Sequence, residues 1–300
     1  MATLKDIKTK IVGVKKTQKI TKAMNMVAAS KLRGAQEKME AFRPYANKFA
    51  EVLGSLSERV EADEEHAPPL LVPRAEVKNV DLLVMTSDRG LCGSFNTNLI
   101  IMAERFLKEK ADQNVEARLI CMGRKGRDYF RRRKYNIRSE HIGIVGARFD
   151  FSVAVNAGTE LIDSFLNGET DEAYMIFGEF VSMARQMPTL KQLVPIAGVE
   201  KVEQAQEAEP AGYIPEHICE PSVEELMAVM LPKHVHVQIF GGLLETSTSE
   251  HAARMQAMEN ATSNCSDMIT SLSLVYNKAR QAAITAELMD IVGGAEALKG

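Results

Sequence analysis

LKDIKTKIVGVKKTQKITKAMNMVAASKLRGAQEKMEAFRPYANKFAEVLGSL, Leu4–Leu56, is the stretch whose periodicity decides the fold. Steps of three and four residues from Leu4 meet Ile7, Ile11, Val14, Gln18, Thr21, Asn25, Ala28, Leu32, Ala35, Met39, Phe42, Ala46, Phe49, Leu53 and Leu56. This is a heptad seam with one polar interruption, Gln18–Thr21–Asn25, and it predicts a coiled-coil helix. At about 1.5 Å per residue the helix would be roughly 80 Å long, whereas a compact chain of this length would measure about 50 Å across. It must therefore protrude from any globule. Pro44 lies inside the pattern and predicts a kink or a frayed turn, because the stripe resumes at Ala46 and Phe49.

A protruding helix needs a partner. From Met255 the same stepping gives Met258, Thr262, Cys265, Ile269, Leu272, Tyr276, Ala279, Ala283 and Ala286. With no other long heptad segments, the two ends of the chain are expected to form an antiparallel coiled coil. The seam is rich in Ala, Thr, Gln and Asn, which pack closely but provide less apolar burial than Leu would. Within Ala279–Leu298 a second stripe, Ile284, Leu288 and Ile291, lies beside the seam, and only Arg280, Glu287, Asp290 and Glu296 are charged. Apolar surface on more than one face implies a sheath, supplied by other protein or by this chain's own second domain.

Composition bounds the rest. The chain has 300 residues, 45% hydrophobic and 26% charged, which fits one or two domains with a real core. Stretches without Asp, Glu, Lys or Arg, such as Gly90–Ala103, Val235–Leu244 and Met268–Asn277, contain polar groups and fall short of the roughly 20 apolar residues of a membrane span. The N-terminus has no apolar signal core, so the expected location is the cytoplasm or a cytoplasmic face. Cys92, Cys121, Cys219 and Cys265 are far apart with no C-x-x-C pair, which suggests reduced thiols and neither a disulfide framework nor a zinc site. Residues 1–48 carry 12 Lys or Arg against Asp6, Glu37 and Glu40, a local charge of +9 in a chain of net charge −3. Such a basic rod is a solvated face, a surface for an acidic protein, or a nucleic-acid surface.

Between the helices strand and helix alternate: strand Val80–Thr86, helix Thr97–Lys110, strand Ala117–Met122, helix Lys125–Arg133, helix Phe151–Leu166, and strands near Ala173–Phe180 and Gln192–Gly198. This predicts a small open α/β domain of Rossmann-like type. The expected organisation is an N-terminal helix over 1–57, a linker over 58–76, an α/β foot over 77–200, a linker over 201–221 and a C-terminal helix over 222–300. Ser222 and Glu225 form a candidate capping box. The loop SDRGLCGSFN, Ser87–Asn96, offers Gly90 and Gly93 between strand and helix, but it lacks the Lys-Ser/Thr of a P-loop and the third glycine of a dinucleotide fingerprint. GRKG, Gly123–Gly126, is no stronger, and Gly90 and Gly93 read as turn glycines. His234 and His236 are two apart, which on a helix points them to different faces, so no metal site is expected. Arg131–Lys134 reads as a solvated helix end. No nucleophile, base and orienting group cluster, so no cofactor and no catalytic residue is expected.

KITKAMNMVAASKLR (19–33), SDRGLCGSFN, ARMQAMENATSNC (253–265) and LVYNKARQAAITAELMDIVGGAEAL (274–298) together resemble the γ subunits of bacterial F-type ATP synthases, in the right order over essentially the whole chain. The resemblance implies a central stalk turning inside a ring of three α and three β subunits and coupling proton flow through the membrane sector to ATP synthesis or hydrolysis on β. It implies a foot on the membrane ring of c subunits that carries the ε subunit, at the cytoplasmic face of the bacterial inner membrane. On that resemblance Lys22, Met24, Asn25, Arg89, Cys92, Arg280, Gln281 and Thr285 are expected to contact β. Thiol control by a regulatory cysteine pair is not expected, because Cys219 has no nearby partner. Two rival readings stand beside it: a free-standing nucleotide-binding α/β enzyme, and a basic coiled-coil protein that binds nucleic acid.

Overall fold

A computed structural model describes residues 3–60, 68–146, 149–196, 220 and 222–297. The element order is α1 (Leu4–Val60), β1 (Asn79–Met85), α2 (Phe95–Asp112), β2 (Glu116–Met122), α3 (Arg124–Arg132), β3 (Ile137–His141), α4 (Phe151–Leu166), β4 (Glu172–Phe180), β5 (Gln186–Val194) and α5 (Val223–Ala297). Two compact units result, one of Met1–Ala29 with Arg254–Gly300 and one of Ser30–Ala253. α1 continues through Pro44 and α5 through Pro232. Ser222 Oγ accepts from Glu225 N at 3.2 Å, which gives α5 the expected side-chain cap.

In the first unit the two long helices pair through the predicted seam. Ile7, Thr21 and Ala28 are buried, and Leu4, Ile11, Val14, Gln18 and Asn25 half-buried. On α5, Met255 through Ala283 at heptad steps are buried or half-buried. The polar interruption is no defect in this packing. Thr21 Oγ1 lies 2.8 Å from Thr262 Oγ1, and Asn25 Nδ2 donates to the Met255 carbonyl at 2.9 Å. Small polar side chains let the backbones approach, and paired hydrogen bonds across the seam fix a register that uniform Leu would leave degenerate. The seam ends earlier than its periodicity implies, because Ala286 is exposed. Given the Thr21–Thr262 pairing, Leu4 is level with about residue 279, so α5 continues for roughly 27 Å with no α1 beside it.

The second unit is a three-layer sandwich. Its sheet has the order β3-β2-β1-β4-β5, parallel except for the β4–β5 hairpin. β1 alternates faces: Leu83 and Met85 join a core with Leu53 and Leu56 of α1, Leu161 and Phe165 of α4, and Leu231, Val235, Ile239 and Leu243 of α5. Val80, Leu82 and Val84 join Leu99, Ala103, Phe106 and Phe130 of α2 and α3 on the other face. At the start of β1 the fully buried Asp81 accepts from Arg118 Nε at 2.9 Å and Thr170 Oγ1 at 2.6 Å, with Arg138 at 3.4 Å. Removing one partner of such a buried charge typically costs about 3–5 kcal/mol.

Two strands depart from the sequence reading. β3, IRSEH, has no expectation at all, since as a half-buried edge rich in charge it carries no apolar alternation. β5 covers Gln186–Val194 and not Gln192–Gly198, and Gly198 lies outside the described residues. Pro188 hid its first half, yet edge strands accept proline. Most of the 201–221 linker and Cys219 also lie outside the described residues, as does part of the 58–76 linker. Cys92, Cys121 and Cys265 are free thiols.

Candidate functional site

The glycine-bearing loops sit at the C-terminal ends of the parallel strands, where an open α/β sheet binds ligands. Here the loop after β1 is filled by its own side chains. Asn96 Oδ1 accepts from Ser87 N at 2.9 Å, its Nδ2 reaches Ser87 Oγ at 2.8 Å and Cys92 Sγ at 3.1 Å, and Ser87 Oγ donates to the Arg89 carbonyl at 2.6 Å. Cys92 is 2% exposed, so its thiol shapes the loop from within, while Arg89 is at the surface. Gly93 has φ 59°, and beside it Leu91 adopts φ 65°.

The α3 N-terminus is equally occupied. Its first three backbone N–H groups donate to Asp88 Oδ1 at 3.0 Å, the Ser87 carbonyl at 3.1 Å and Thr86 Oγ1 at 2.8 Å. A phosphate would find these donors already satisfied. Gly123 (φ 103°) is needed for close approach, because a Cβ there would fall 2.0 Å from the Thr86 carbonyl oxygen. Gly123 thus serves strand–helix packing. Asp88, which also accepts from Gly143 N at 3.0 Å, ties together the loops after β1, β2 and β3. Sequence reasoning missed it because nothing local marks an aspartate whose partners are backbone amides far along the chain.

The histidines separate as expected. His234 stacks on Phe49, with ring centroids 6.2 Å apart, and burial followed by the nearby Lys191 charge pulls its pKa down to about 4. A Cβ on Gly158 would lie 2.3 Å from the His236 ring, and burial lowers that histidine's pKa too. Among the described residues no group of three or more His, Cys, Asp or Glu is placed to hold a metal, and no helix is long and apolar enough to cross a membrane.

The remaining candidates are on the long helices. Lys22 is exposed and Met24 half-buried, while Asn25 is committed to the seam through Met255. Arg280, Gln281 and Thr285 are exposed on α5 beside the half-buried Ala279 and Ala283, as the helical spacing implies. Thr285 Oγ1 donates to the Gln281 carbonyl at 2.9 Å, so its proton is used within the helix. Beside and beyond them Ile284, Leu288, Met289, Ile291 and Val292 are 54–69% exposed. The structure thus brings Arg280, Gln281 and Thr285 together on a bare helix end. Arg89 and Cys92 belong to the loop after β1, and Lys22 and Met24 to the flank of α1.

A protein family described as ATP synthase matches residues 3–298. The chain is 58% identical over 301 residues to the ATP synthase gamma chain of Desulfosudis oleivorans, covering all of both chains. It is 55% identical over 299 residues to that of Syntrophobacter fumaroxidans, again over all of both. Among solved structures it is similar to a chain of the Tetrahymena thermophila mitochondrial ATP synthase central stalk and c-ring, with TM-score 0.59 and 26% identity over 81% of this chain and 99% of that one. A chain of the Euglena gracilis mitochondrial ATP synthase F1 and c-ring assembly shares the fold, with TM-score 0.64 and 21% identity over 98% of this chain and 94% of that one.

Proposed function

The chain belongs to the ATP synthase gamma chains, central-stalk subunits of that enzyme, and from this we propose that it is the rotor coupling proton flow through the membrane sector to ATP chemistry on the β subunits. The observation that carries the reading is the bare end of α5. A helix that exposes Ile284, Leu288, Ile291 and Val292 beside Arg280 and Gln281 needs a surrounding protein sleeve, and a ring of α and β subunits would supply one. Within that ring Lys22 and Met24 on α1 would pass the acidic levers of β, with Asn25 holding the seam beneath them. Arg280 and Gln281, with Thr285 fixing the turn, would form a transient catch on a β loop, since the planar guanidinium makes directional, charge-assisted bonds. The loop of Arg89, shaped by Cys92, would meet the β levers at the top of the foot. The five-stranded unit would be the foot on the c-subunit ring and carry ε, as a peripheral subunit at the cytoplasmic face of the inner membrane. The domain division expected from the sequence fits these roles. A stalk works by contacting three β subunits differently, because only differential contacts can bias their nucleotide affinities.

The test is native isolation of the tagged chain from its host. The α, β and ε subunits should arrive with it in fixed ratio, and the purified chain alone should bind no ATP. Recovery without α and β, or saturable ATP binding by the chain itself, overturns the reading.

A further inference from the structure

The tip of α3 carries an arrangement the stalk function does not use. Arg131, Arg132, Arg133 and Lys134 are consecutive and exposed. They are displayed rigidly. Phe130 beneath them is fully buried, with Tyr129 and Tyr135 packed edge-on to it at 5.4 and 5.3 Å, and Arg133 N, Lys134 N and Tyr135 N close the turn onto the carbonyls of Phe130, Arg131 and Phe130. Nearby acids offset only part of the charge. Glu140 pairs with Arg131 and Arg127, Glu104 approaches Arg133 at 3.8 Å, and Glu116 accepts from Asn136. Arg132 and Lys134 are in none of these pairs.

The tip's place in the unit is defined. α3 leaves the C-terminal end of β2 and runs back, so its last turn finishes where β2 and β3 begin, with Leu119 N bonded to the Asn136 carbonyl at 2.9 Å. Leu70, which follows α1 in the chain, lies at this same end. Its carbonyl accepts from Ile196 N just past β5, whose last residue Val194 pairs with Ala173 near the start of β4. Lys31 of α1 is at the opposite end, 3.4 Å from the Gly146 carbonyl. The cations therefore project from the end of the unit at which α1 finishes, which in the reading above is the side of the foot toward the membrane.

We infer that the Arg131–Lys134 tip is an electrostatic contact for the phosphodiester headgroups of an anionic bilayer. A protein interface needs a buried aromatic or aliphatic anchor at its centre, and on the stretch from α2 to β3 that carries the tip no large hydrophobic side chain between Ile101 and Ile142 is exposed; the exposed Val72 and Leu166 at this end of the unit belong to other segments, before β1 and at the end of α4. Single-stranded nucleic acid would need an open aromatic face for stacking, and the Tyr129 ring is covered by the Arg133 guanidinium at 3.8 Å. A cationic tip without anchor or groove suits a diffuse negative surface. For a turning subunit such a surface has a further property: fluid lipid attracts equally at every angle and so adds no angular barrier, and each nearby Lys or Arg strengthens the contact by about fivefold.

The inference rests on the stalk reading, and one preparation separates the two. The assembled complex of α, β, this chain and ε is isolated with the wild-type chain and with Arg132→Gln/Lys134→Gln, which touches neither the cores nor the shaft. Co-purification of the other subunits reports on the reading. Flotation then compares vesicles of phosphatidylcholine alone with vesicles that also contain phosphatidylglycerol, at low salt. The wild-type complex should prefer the anionic vesicles, the double variant should bind them about thirtyfold more weakly, and its ATPase rate should be unchanged. The ratio between the two versions cancels every other cationic surface. Equal binding by both, equal binding to neutral and anionic vesicles, or loss of duplex DNA binding with vesicle binding intact overturns the inference.

Discussion

Thr21 and Thr262 face each other across the seam, and their hydroxyls have two protons for three acceptors. Thr262 Oγ1 lies 2.7 Å from the Met258 carbonyl, Thr21 Oγ1 lies 3.1 Å from the Gln18 carbonyl, and the hydroxyls are 2.8 Å apart. If Thr262 donates to its own helix, Thr21 donates across the seam, and the reverse assignment is equally complete. Thr21→Val removes one of these bonds at nearly constant volume and leaves the Thr262 proton an acceptor in Met258. No donor is orphaned, so the cost is one net hydrogen bond, about 1 kcal/mol. Thr21→Val/Thr262→Val deletes the pair together and places two methyl groups in contact at a buried position, which should return stability to near wild type or above it. Thr262→Val should cost about the same by the reverse assignment, so the double-mutant cycle yields a coupling energy of about 2 kcal/mol. Urea unfolding of the full chain, followed by helical circular dichroism, measures it, with equal m-values as the check that the same transition is compared. Additive losses, with the double variant the least stable of the four, would refute the claim that the seam's polar residues act as a bonded pair.

Other expectations concern different parts of the molecule. Arg280→Ala and Gln281→Ala should each lower steady-state ATPase of the assembled complex by about ten- to a hundredfold, the rate equivalent of one charge-assisted bond made only in the transition state. Unchanged subunit stoichiometry with wild-type turnover in both would remove the catch. Gly123→Ala should fail to fold or unfold at markedly lower urea, because its Cβ would meet the Thr86 carbonyl oxygen at 2.0 Å in a left-handed backbone; wild-type stability would contradict the packing described. His234 is kept neutral in the folded chain, with its pKa down at about 4 against an ordinary 6.5. Its contribution is therefore fully present above pH 6.5 and lost as pH falls toward 4, by roughly 3 kcal/mol over the window. His234→Gln should flatten that part of the stability-versus-pH curve, and an unaltered curve would assign the loss to other groups.

The sequence by itself determined the long helices. A heptad stripe is a one-dimensional property, so Leu4 to Leu56 and Met255 to Ala283 could be read without knowing what they touch, and the antiparallel pairing followed from the need to bury both stripes. The exposed face of Arg280 and Gln281 was legible for the same reason. The interior of β1 and of α4 was legible from apolar runs, whereas β3 and the first half of β5 were not, because edge strands with one neighbour carry charge, proline and little alternation. Only the tertiary structure decided the meaning of the polar and glycine residues. Asn25 could be placed on the seam from its heptad position, but not its bond to the Met255 carbonyl; Cys92 could be read as a reduced thiol, but not as the buried partner of Asn96; Gly123 could be set aside as a phosphate motif, but not recognised as a point of contact with Thr86. A hydrogen bond or a close approach depends on where a second, sequence-distant backbone passes to within a few tenths of an ångström, and no local pattern encodes that distance. The end of the seam near residue 279 has the same origin, since it depends on where α1 begins and not on the composition of α5.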